Sequence, residues 1–371
     1  MNESIQPTSP ANRGSGKKLV AALSTMLVVG VAIYASRSSL SASADESKEK
    51  KSGAPTPLAV TAANKFLDAL DAKQREKAVY EFGSAKKSNW SNLPAPIVQR
   101  NGVRLGDLTK EQRALAMGVI AAVLSKSGYR KVVDIMDGDQ KLADAQGPGR
   151  GGPGGGRGPG ARFGTDEYFL AIFGKPSEKE PWMVQFGGHH LGVNVTVIGK
   201  NFVLTPTHTG AQPTLFKRGD NDVRPLGLEN DTAFKLVNAL DDKQQAQAII
   251  AKRPQGELLL GPGRDGRKID PEGIKGSALN ADQRAMLLDV IGAWINIVES
   301  ETAAARMAEI KEKIGETYFA WKGATTKGSA AYFRVQGPSV VIEYAPQGGT
   351  GHIHTVVRNP KDDYGAGILE K

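Results

Sequence analysis

Histidine is the residue type in this sequence whose positions most clearly suggest chemistry. The chain of 371 residues has five histidines, and none of them precedes position 189. Four of them form two short motifs, His189-His190 and His352-x-His354, and the fifth is His208. Imidazole is a common ligand of zinc, copper and iron, so this distribution favours a metal site.

The His352-x-His354 motif has the spacing that chelation from a strand requires. Residues i and i+2 of a strand face the same side, so His352 and His354 can present two imidazoles to one cation. His189 and His190 would face opposite sides, so only one of them can join unless the chain bulges or turns. The preceding Gly187-Gly188 favours such a bulge or turn.

Glu343 is the carboxylate that the sequence associates with these histidines. It lies in Val340–Tyr344, a run that is otherwise apolar apart from the tyrosine hydroxyl. Because an unpaired buried charge is costly, Glu343 either faces solvent or has a partner. If it faces inward, it completes a predicted donor set for one divalent metal ion (Zn, Cu or Fe) with an open coordination position, made of His190, His352, His354 and Glu343.

Four further residues are candidates for the same site: His189, His208, Arg358 and Asp363. Arg358 and Asp363 follow the second histidine motif, where they either orient the imidazoles or form a polar turn. An open metal site could activate water or polarise a carbonyl, so the sequence indicates a hydrolase or an oxidoreductase. No Gly-x-Ser-x-Gly motif, phosphate loop or dinucleotide fingerprint occurs, which disfavours serine hydrolases, nucleotide hydrolases and Rossmann enzymes.

Two interpretations that involve no metal are also consistent with the sequence. In the first, the histidines line a cleft with Trp182, Trp321 and Arg358 that binds an unidentified small molecule, a glycan or a peptide. In the second, the histidines belong to polar strand faces and the protein is a scaffold. The absence of cysteine excludes disulfides and thiolate ligands from every reading.

The elements that must position these residues occur twice along the sequence. Three motifs recur in the same order: Ala69-Leu70-Asp71-x-Lys73-Gln74 as Ala239-Leu240-Asp241-x-Lys243-Gln244, Leu108–Ala114 as Leu279–Ala285, and Tyr168-Phe169 as Tyr318-Phe319. A preserved order of three motifs indicates an internal duplication. We therefore expect a first repeat over residues 59–225 and a second over 226–371, related by a pseudo-twofold axis.

Each repeat has the same predicted elements. An amphipathic helix lies near 62–80 or 232–251, and a second helix opens at Thr109 or Asn280 with the spacing of a capping box. Strand-like runs follow at 168–173, 182–186, 191–198 and 202–206, and again at 318–321, 331–335, 340–344 and 352–357. The predicted fold is α+β, with two diverged copies of a helix pair plus an antiparallel-strand unit.

The amino-terminal segment indicates export. Lys17-Lys18 precede the uncharged stretch 19–35, and Ala42-Ser43-Ala44 fits a signal-peptidase site. Residues 1–44 are therefore a predicted signal peptide, with a single-span membrane anchor as the alternative, and the protein is periplasmic or secreted. Membrane contact is expected only through this segment if it is uncleaved.

Two other segments have the composition of unstructured chain. Residues 45–58 are predicted as a disordered tether, and the Gly/Arg-rich tract 147–160 as a flexible insertion in the first repeat. Four basic residues and one acidic residue in 1–44 account for three of the nine net positive charges, which leaves +6. The remainder has no long basic run, so no nucleic-acid partner is expected.

Several of these motifs together resemble a bacterial family called domain of unknown function 3500. The similarity spans roughly residues 62–369 and is most specific in the two histidine motifs. The resemblance implies no established reaction, ligand or catalytic residue. The residues that carry it are Phe186–Leu191, Asn194-Val195-Thr196, Thr205-Pro206 with Gly210, Arg224-Pro225-Leu226, and His352–Val356 with Arg358, Pro360, Asp363 and Gly365.

Overall fold

The structure is a computed structural model that describes residues 54–146 and 161–369. The predicted signal or anchor segment 1–44, residues 45–53 of the predicted tether and the Gly/Arg-rich tract 147–160 lie outside the described residues. No helix within 54–146 or 161–369 is both long and apolar enough to cross a membrane.

Helices precede strands twice along the described chain, as the α+β prediction requires. Helix α1 already begins at Pro55, so the predicted tether ends before Leu58, because proline suits the first turn of a helix. The helices are α1 (Pro55–Asp68), α2 (Ala72–Ala78), α3 (Lys110–Val123), α4 (Lys126–Gln146), α5 (Gly227–Asn238), α6 (Asp242–Ala248), α7 (Ala281–Ile295), α8 (Ser300–Glu312) and α9 (Ala366–Leu369). Helices α4 and α8 were not predicted separately.

The first predicted helix of each half is two helices. Asp71 accepts a hydrogen bond from the backbone of Gln74, and the Gln74 side chain accepts one from the backbone of Asp71. This capping box starts α2 and breaks the chain away from α1. Asp241 and Gln244 do the same between α5 and α6. The predicted capping boxes at Thr109 and Asn280 are confirmed at the starts of α3 and α7.

The capping glutamines also bond to one another across each half. The Gln74 side chain bonds to Gln112, and the Gln244 side chain bonds to Gln283. Each pair ties a short helix to the start of the following long helix. Two of the three repeated sequence motifs therefore contain the residues that cap these helices and join them.

The strands form one large mixed sheet and a separate hairpin within the described residues. The sheet order is β1-β3-β4-β5-β7-β15-β14-β13-β12-β10, and β2, β6 and β11 pair at its sides. The strands are β1 (Val79–Tyr80), β2 (Val103–Arg104), β3 (Phe169–Phe173), β4 (Trp182–Gly188), β5 (Leu191–Ile198), β6 (Asn201–Val203), β7 (Thr207–Ala211), β8 (Phe216–Arg218), β9 (Asn221–Val223), β10 (Ile249–Ala251), β11 (Ile274–Lys275), β12 (Tyr318–Gly323), β13 (Ala331–Gln336), β14 (Val341–Pro346) and β15 (Ile353–Arg358).

The sheet departs from the predicted antiparallel units in two respects. Strands β1 and β3 pair in parallel, as do β10 and β12, because helices cross over between the members of each pair. In addition, β7 and β15 pair antiparallel, so the strand units of the two predicted repeats form one continuous sheet. This pairing covers two edges that would otherwise expose unpaired backbone groups.

The two faces of the sheet are covered differently. Alternate residues such as Val184, Val193 and Ile342 point to the helices and form two large apolar clusters with them. Trp182 and Trp321 belong to these clusters and are fully buried. They therefore do not line the ligand cleft for which they were candidates, because their strand positions face the helices.

The opposite face carries polar side chains and is covered by two long loops, 81–102 and 252–273. Gln185 and Asn194 are cross-strand neighbours there, as are Arg334 and Glu343. Asn101 of the first loop donates to Gln185, and Arg334 donates to Glu272 of the second loop. The polar face thus holds the loops in place because buried polar groups require hydrogen-bond partners. His208 and His354 lie on this face.

Candidate metal centre

His189 and His190 form the two-residue turn between β4 and β5, where Gly188 pairs with Leu191. His190 adopts the left-handed backbone conformation, with φ of 62°. This conformation is uncommon for a residue other than glycine and is frequent at functional sites. The turn indicated by Gly187-Gly188 is present, and it is what allows His190 to approach the second histidine motif.

Three imidazoles meet at this turn. The Nε2 atom of His352 lies 2.7 Å from Nε2 of His190 and 3.0 Å from Nε2 of His354. All three ligand atoms lie within 4.8 Å of one another. Ligand atoms on one tetrahedral zinc ion are about 3.3 Å apart, given Zn–N bonds of about 2.0 Å. The two separations from Nε2 of His352 are therefore close to those that a shared cation requires.

Hydrogen bonding alone accounts poorly for this convergence. A neutral imidazole nitrogen has either one hydrogen or one lone pair. The Nε2 atom of His352 therefore cannot donate to both of its neighbours, and as an acceptor it would have to divide one lone pair between two donors. One cation would use all three lone pairs at once.

The environment keeps the three imidazoles uncharged. Burial lowers the pKa of His352 to about 4 and that of His354 to about 2. Burial, followed by the charges of the other histidines, lowers the pKa of His190 well below its usual value. The neutral imidazole, whose nitrogen lone pair is free, is the form that binds a metal ion.

His189 does not point at the same place as the other three. Its Nδ1 lies 2.6 Å from Oδ1 of Asp139, whose Oδ2 accepts a hydrogen bond from the backbone of Gly164. The His189 ring packs against the His190 ring, with centroids 3.6 Å apart and planes tilted by 35°. Asp139, His189 and His190 also have ligand atoms within 4.8 Å of one another. Its bond to Asp139 therefore holds His189 against the His190 ring.

Gly210 provides the space for His190. It lies in β7 opposite His354, and a Cβ atom placed on it would be 2.8 Å from the carbonyl oxygen of Ile353 and 3.0 Å from Cδ2 of His190. Real Cβ atoms essentially never lie closer than 3.0 Å to such atoms, so the contact with the Ile353 carbonyl oxygen would be too short. Any larger residue here would displace the His190 ring or the start of β15.

His208 is a neighbour of the centre. Its ring centroid is 5.3 Å from that of His354, but its nitrogens belong to neither group of converging ligand atoms. The side chain is fully buried, and burial lowers its pKa to about 3. Neither ring nitrogen has a hydrogen-bond partner within residues 54–146 and 161–369.

Glu343 does not join the histidines, although the sequence placed it in the donor set. Both of its oxygens are used, by the backbone amides of Leu259 and Leu260 at 2.9 and 2.8 Å and by the hydroxyl of Tyr332 at 2.8 Å. The carboxylate is fully buried. Two of these partners lie in the loop 252–273. Glu343 therefore does not face solvent, but is buried and hydrogen-bonded.

Arg358 and Asp363 likewise lie apart from the histidines. Arg358 forms ion pairs of 2.8 Å with Asp265 and Asp363, and its Nε donates to the carbonyl of Leu260. Neither residue hydrogen-bonds to a histidine in the described part of the chain. They join the carboxyl end of β15 to the loop 252–273, which corresponds to the polar-turn alternative.

A cleft of about 680 Å³ opens beside His354. Its walls come from the segments 88–93, 98–99, 257–258 and 261–264 of the two covering loops, together with Gln347 and His354. His352 and His354 are only partly buried, whereas His190 is 1% exposed. A ligand in the cleft therefore reaches the centre from the side of His354.

Two residues at the centre, Asp139 and Asn92, were not predicted from the sequence. Asp139 lies on the buried side of α4, one turn after Ile135 and Met136. A carboxylate at an apolar position of a helix is the sequence feature that could have identified it. Asn92 lies in a loop, its backbone carbonyl accepts from His190 and its amide lies beside His354. No local pattern distinguishes Asn92 from the other polar residues of that loop.

Comparison with known proteins matches the chain to a protein family. The sequence model of the family described as "Protein of unknown function (DUF3500)" matches residues 52–366, a range that includes all five histidines. No curated protein and no solved structure matches the chain.

Replacing Glu343 by glutamine tests its structural role. The Glu343→Gln variant loses two charge-assisted bonds from backbone amides, keeps at most one bond to its neutral carbonyl oxygen and turns its NH2 group toward the other backbone amide. The free energy of unfolding, measured by urea denaturation, should therefore fall by about 2–4 kcal/mol. Glu257→Gln, at an exposed residue of the same loop, should change it by less than about 0.5 kcal/mol. If the Glu343→Gln variant lost bound metal while its stability was unchanged, Glu343 would be a metal ligand rather than a structural residue.

Proposed function

The chain belongs to the DUF3500 family, as its motifs predicted, and we propose that His190, His352 and His354 bind one divalent metal ion in it. The observation that carries the proposal is the convergence of the three Nε2 atoms. The donors come from a strained turn and a strand start that lie far apart in sequence. The low pKa values of all three imidazoles support it further.

Three imidazole ligands and one open position are typical of catalytic rather than structural metal sites. A zinc ion in such a site supplies an activated water, which favours hydrolysis of a substrate held in the cleft. The same donors suit copper or iron, and with either metal the site would favour an oxidoreductase. The identity of the bound metal therefore distinguishes the two reaction classes.

A metal-free glycan- or peptide-binding module is the second candidate. The cleft supports it, because its volume is that of a typical ligand site and amide and hydroxyl side chains form much of its lining. In this alternative the histidines act as neutral hydrogen-bonding groups. Metal analysis separates the two candidates, since only the first requires a stoichiometric ion.

Metal content is the direct test. The wild-type protein, purified without chelators or affinity metals, should contain close to one equivalent of zinc, copper or iron by mass spectrometry. The His352→Ala/His354→Ala variant should contain none, because one imidazole remains. Glu343→Gln serves as the matched control and should retain the wild-type content. Equal, sub-stoichiometric metal in wild type and double variant would reject the metal proposal.

Gly210→Ala tests the geometry without removing a ligand. The added methyl group must displace His190 or Ile353, so the metal dissociation constant should rise about tenfold to a hundredfold. Gly118→Ala is the matched control, since a Cβ at this helical glycine meets nothing within 4 Å. It should leave metal affinity unchanged and raise stability by about 0.5–1 kcal/mol. Unchanged affinity in Gly210→Ala would count against His190 as a ligand.

We also propose that the two halves of the fold arose by duplication and are related by a pseudo-twofold axis. Apart from β6, the order of helices and strands over 55–211 recurs over 227–358, and the main sheet order has matching strands when it is followed from either end. The pair Gln185–Asn194 occupies the place that Arg334–Glu343 occupies in the other half. In this proposal the axis passes through the β7–β15 pair, and the metal centre lies beside it.

Residues 1–44 are proposed to direct export to the periplasm or the medium, with cleavage after Ala44 and a membrane anchor as the alternative. Amino-terminal sequencing of the protein isolated from its native cell should begin at Asp45. An uncleaved chain in the membrane fraction would support the anchor, and an uncleaved chain in the cytoplasm would reject export. In either location we expect no nucleic-acid partner.

A further inference from the structure

Asn92 contacts the centre through both its backbone and its side chain. Its backbone carbonyl accepts a hydrogen bond of 3.1 Å from the amide of His190. Its side-chain nitrogen lies 3.3 Å from Nδ1 and 3.4 Å from Nε2 of His354. Asn92 also lines the cleft, so its amide lies where the cleft meets the three imidazoles.

The side-chain amide of Asn92 does not form a well-aligned hydrogen bond with His354. Hydrogen bonds from N–H donors are usually 2.7–3.2 Å long and nearly linear, and they weaken steeply when they bend. Two long and almost equal distances to the two ring nitrogens mean that the donor is aligned with neither lone pair. Its N–H groups therefore remain available to another acceptor close to Nε2.

Arg100 holds Asn92 in this position. Its guanidinium donates to the carbonyls of Ser91 and Leu93, on either side of Asn92, and to the carbonyl of Gly188. The segment 91–93 is thereby fastened to the turn that carries His190. Burial lowers the pKa of Arg100 to about 10, so the guanidinium stays charged at neutral pH. A donor fixed in advance costs little reorganisation when a ligand binds.

The charge of the metal centre indicates which kind of ligand the Asn92 amide would contact. Three neutral imidazoles leave the two positive charges of a divalent ion uncompensated, so an anion is favoured in the fourth position. Two ligand atoms on one such ion lie about 3.3 Å apart. A donor 3.4 Å from Nε2 of His354 is therefore within reach of an atom in the neighbouring position.

We propose that Asn92 is a catalytic residue whose side-chain amide donates a hydrogen bond to an anionic ligand, a hydroxide or a substrate oxyanion, in the open position of the metal centre. This inference rests on the metal site proposed above. It makes Asn92 the counterpart of the amide donors that stabilise developing negative charge in other enzymes. A neutral amide suits this role because a carboxylate in its place would repel the anion.

Azide binding to the Co²⁺-loaded full-length protein tests the proposal, since the visible bands of Co²⁺ report on its ligands. Asn92→Leu keeps the side-chain shape and removes the donor. It should bind Co²⁺ within about twofold of wild type and bind azide about tenfold to a hundredfold more weakly. Asn92→Ala, which adds no branched carbon, should give the same result and exclude a packing effect.

Asn89→Leu is the matched control, because Asn89 lines the same cleft without bonding to a histidine in the described residues. It should bind both Co²⁺ and azide as wild type does. Wild-type azide affinity in Asn92→Leu and Asn92→Ala would overturn the proposal. Weakened Co²⁺ binding with unchanged azide affinity would also overturn it, since Asn92 would then only orient His354. Failure of the wild-type protein to bind Co²⁺ would instead count against the metal site itself.

Discussion

The pairing of β7 with β15 is the interaction on which the rest of the structure depends. It joins the strands of both halves into one sheet and sets His354 opposite Gly210. Because Gly210 has no side chain, the His190 ring can lie over β7 next to the start of β15. Without this pairing, nothing would bring the turn between β4 and β5 close to the His352-x-His354 motif. The convergence of imidazoles is thus a consequence of strand order.

The polar face of the sheet explains why long loops can form a defined cleft. Glu343 binds two consecutive backbone amides of one loop, and Gln185 binds Asn101 of the other. A buried carboxylate or amide without partners would be costly, so these contacts favour one loop position over others. Arg358 adds ion pairs between the end of β15 and the same loop as Glu343. Glu343 and Arg358, which were candidates for the ligand or orienting groups, therefore hold one of the loops that form the walls of the cleft.

The centre has an unusual balance of charge. Burial keeps His190, His352 and His354 neutral, and the hydrogen-bond partner of the Asp139 carboxylate is His189 rather than one of these three. A divalent ion bound here would keep its charge uncompensated by its three protein ligands. That condition favours an anionic fourth ligand and a neutral donor beside it, the arrangement that Asn92 offers. The strained backbone of His190 is held by packing against His189 and by the carbonyl of Asn92.

The sequence by itself determined the features that arise within a few residues. Capping boxes depend on a residue and its neighbour three positions later, and the shared side of His352 and His354 depends on strand alternation, so Thr109, Asn280 and the histidine pair were predictable. Only the tertiary structure decided that His190 rather than His189 meets that pair, that Glu343 binds a loop, and that Asp139 and Asn92 belong to the centre. These outcomes depend on a two-residue turn, on the pairing of strands distant in sequence and on loops that cover the sheet. Short-range spacing carries no information about such contacts, because they form only when separate elements pack together.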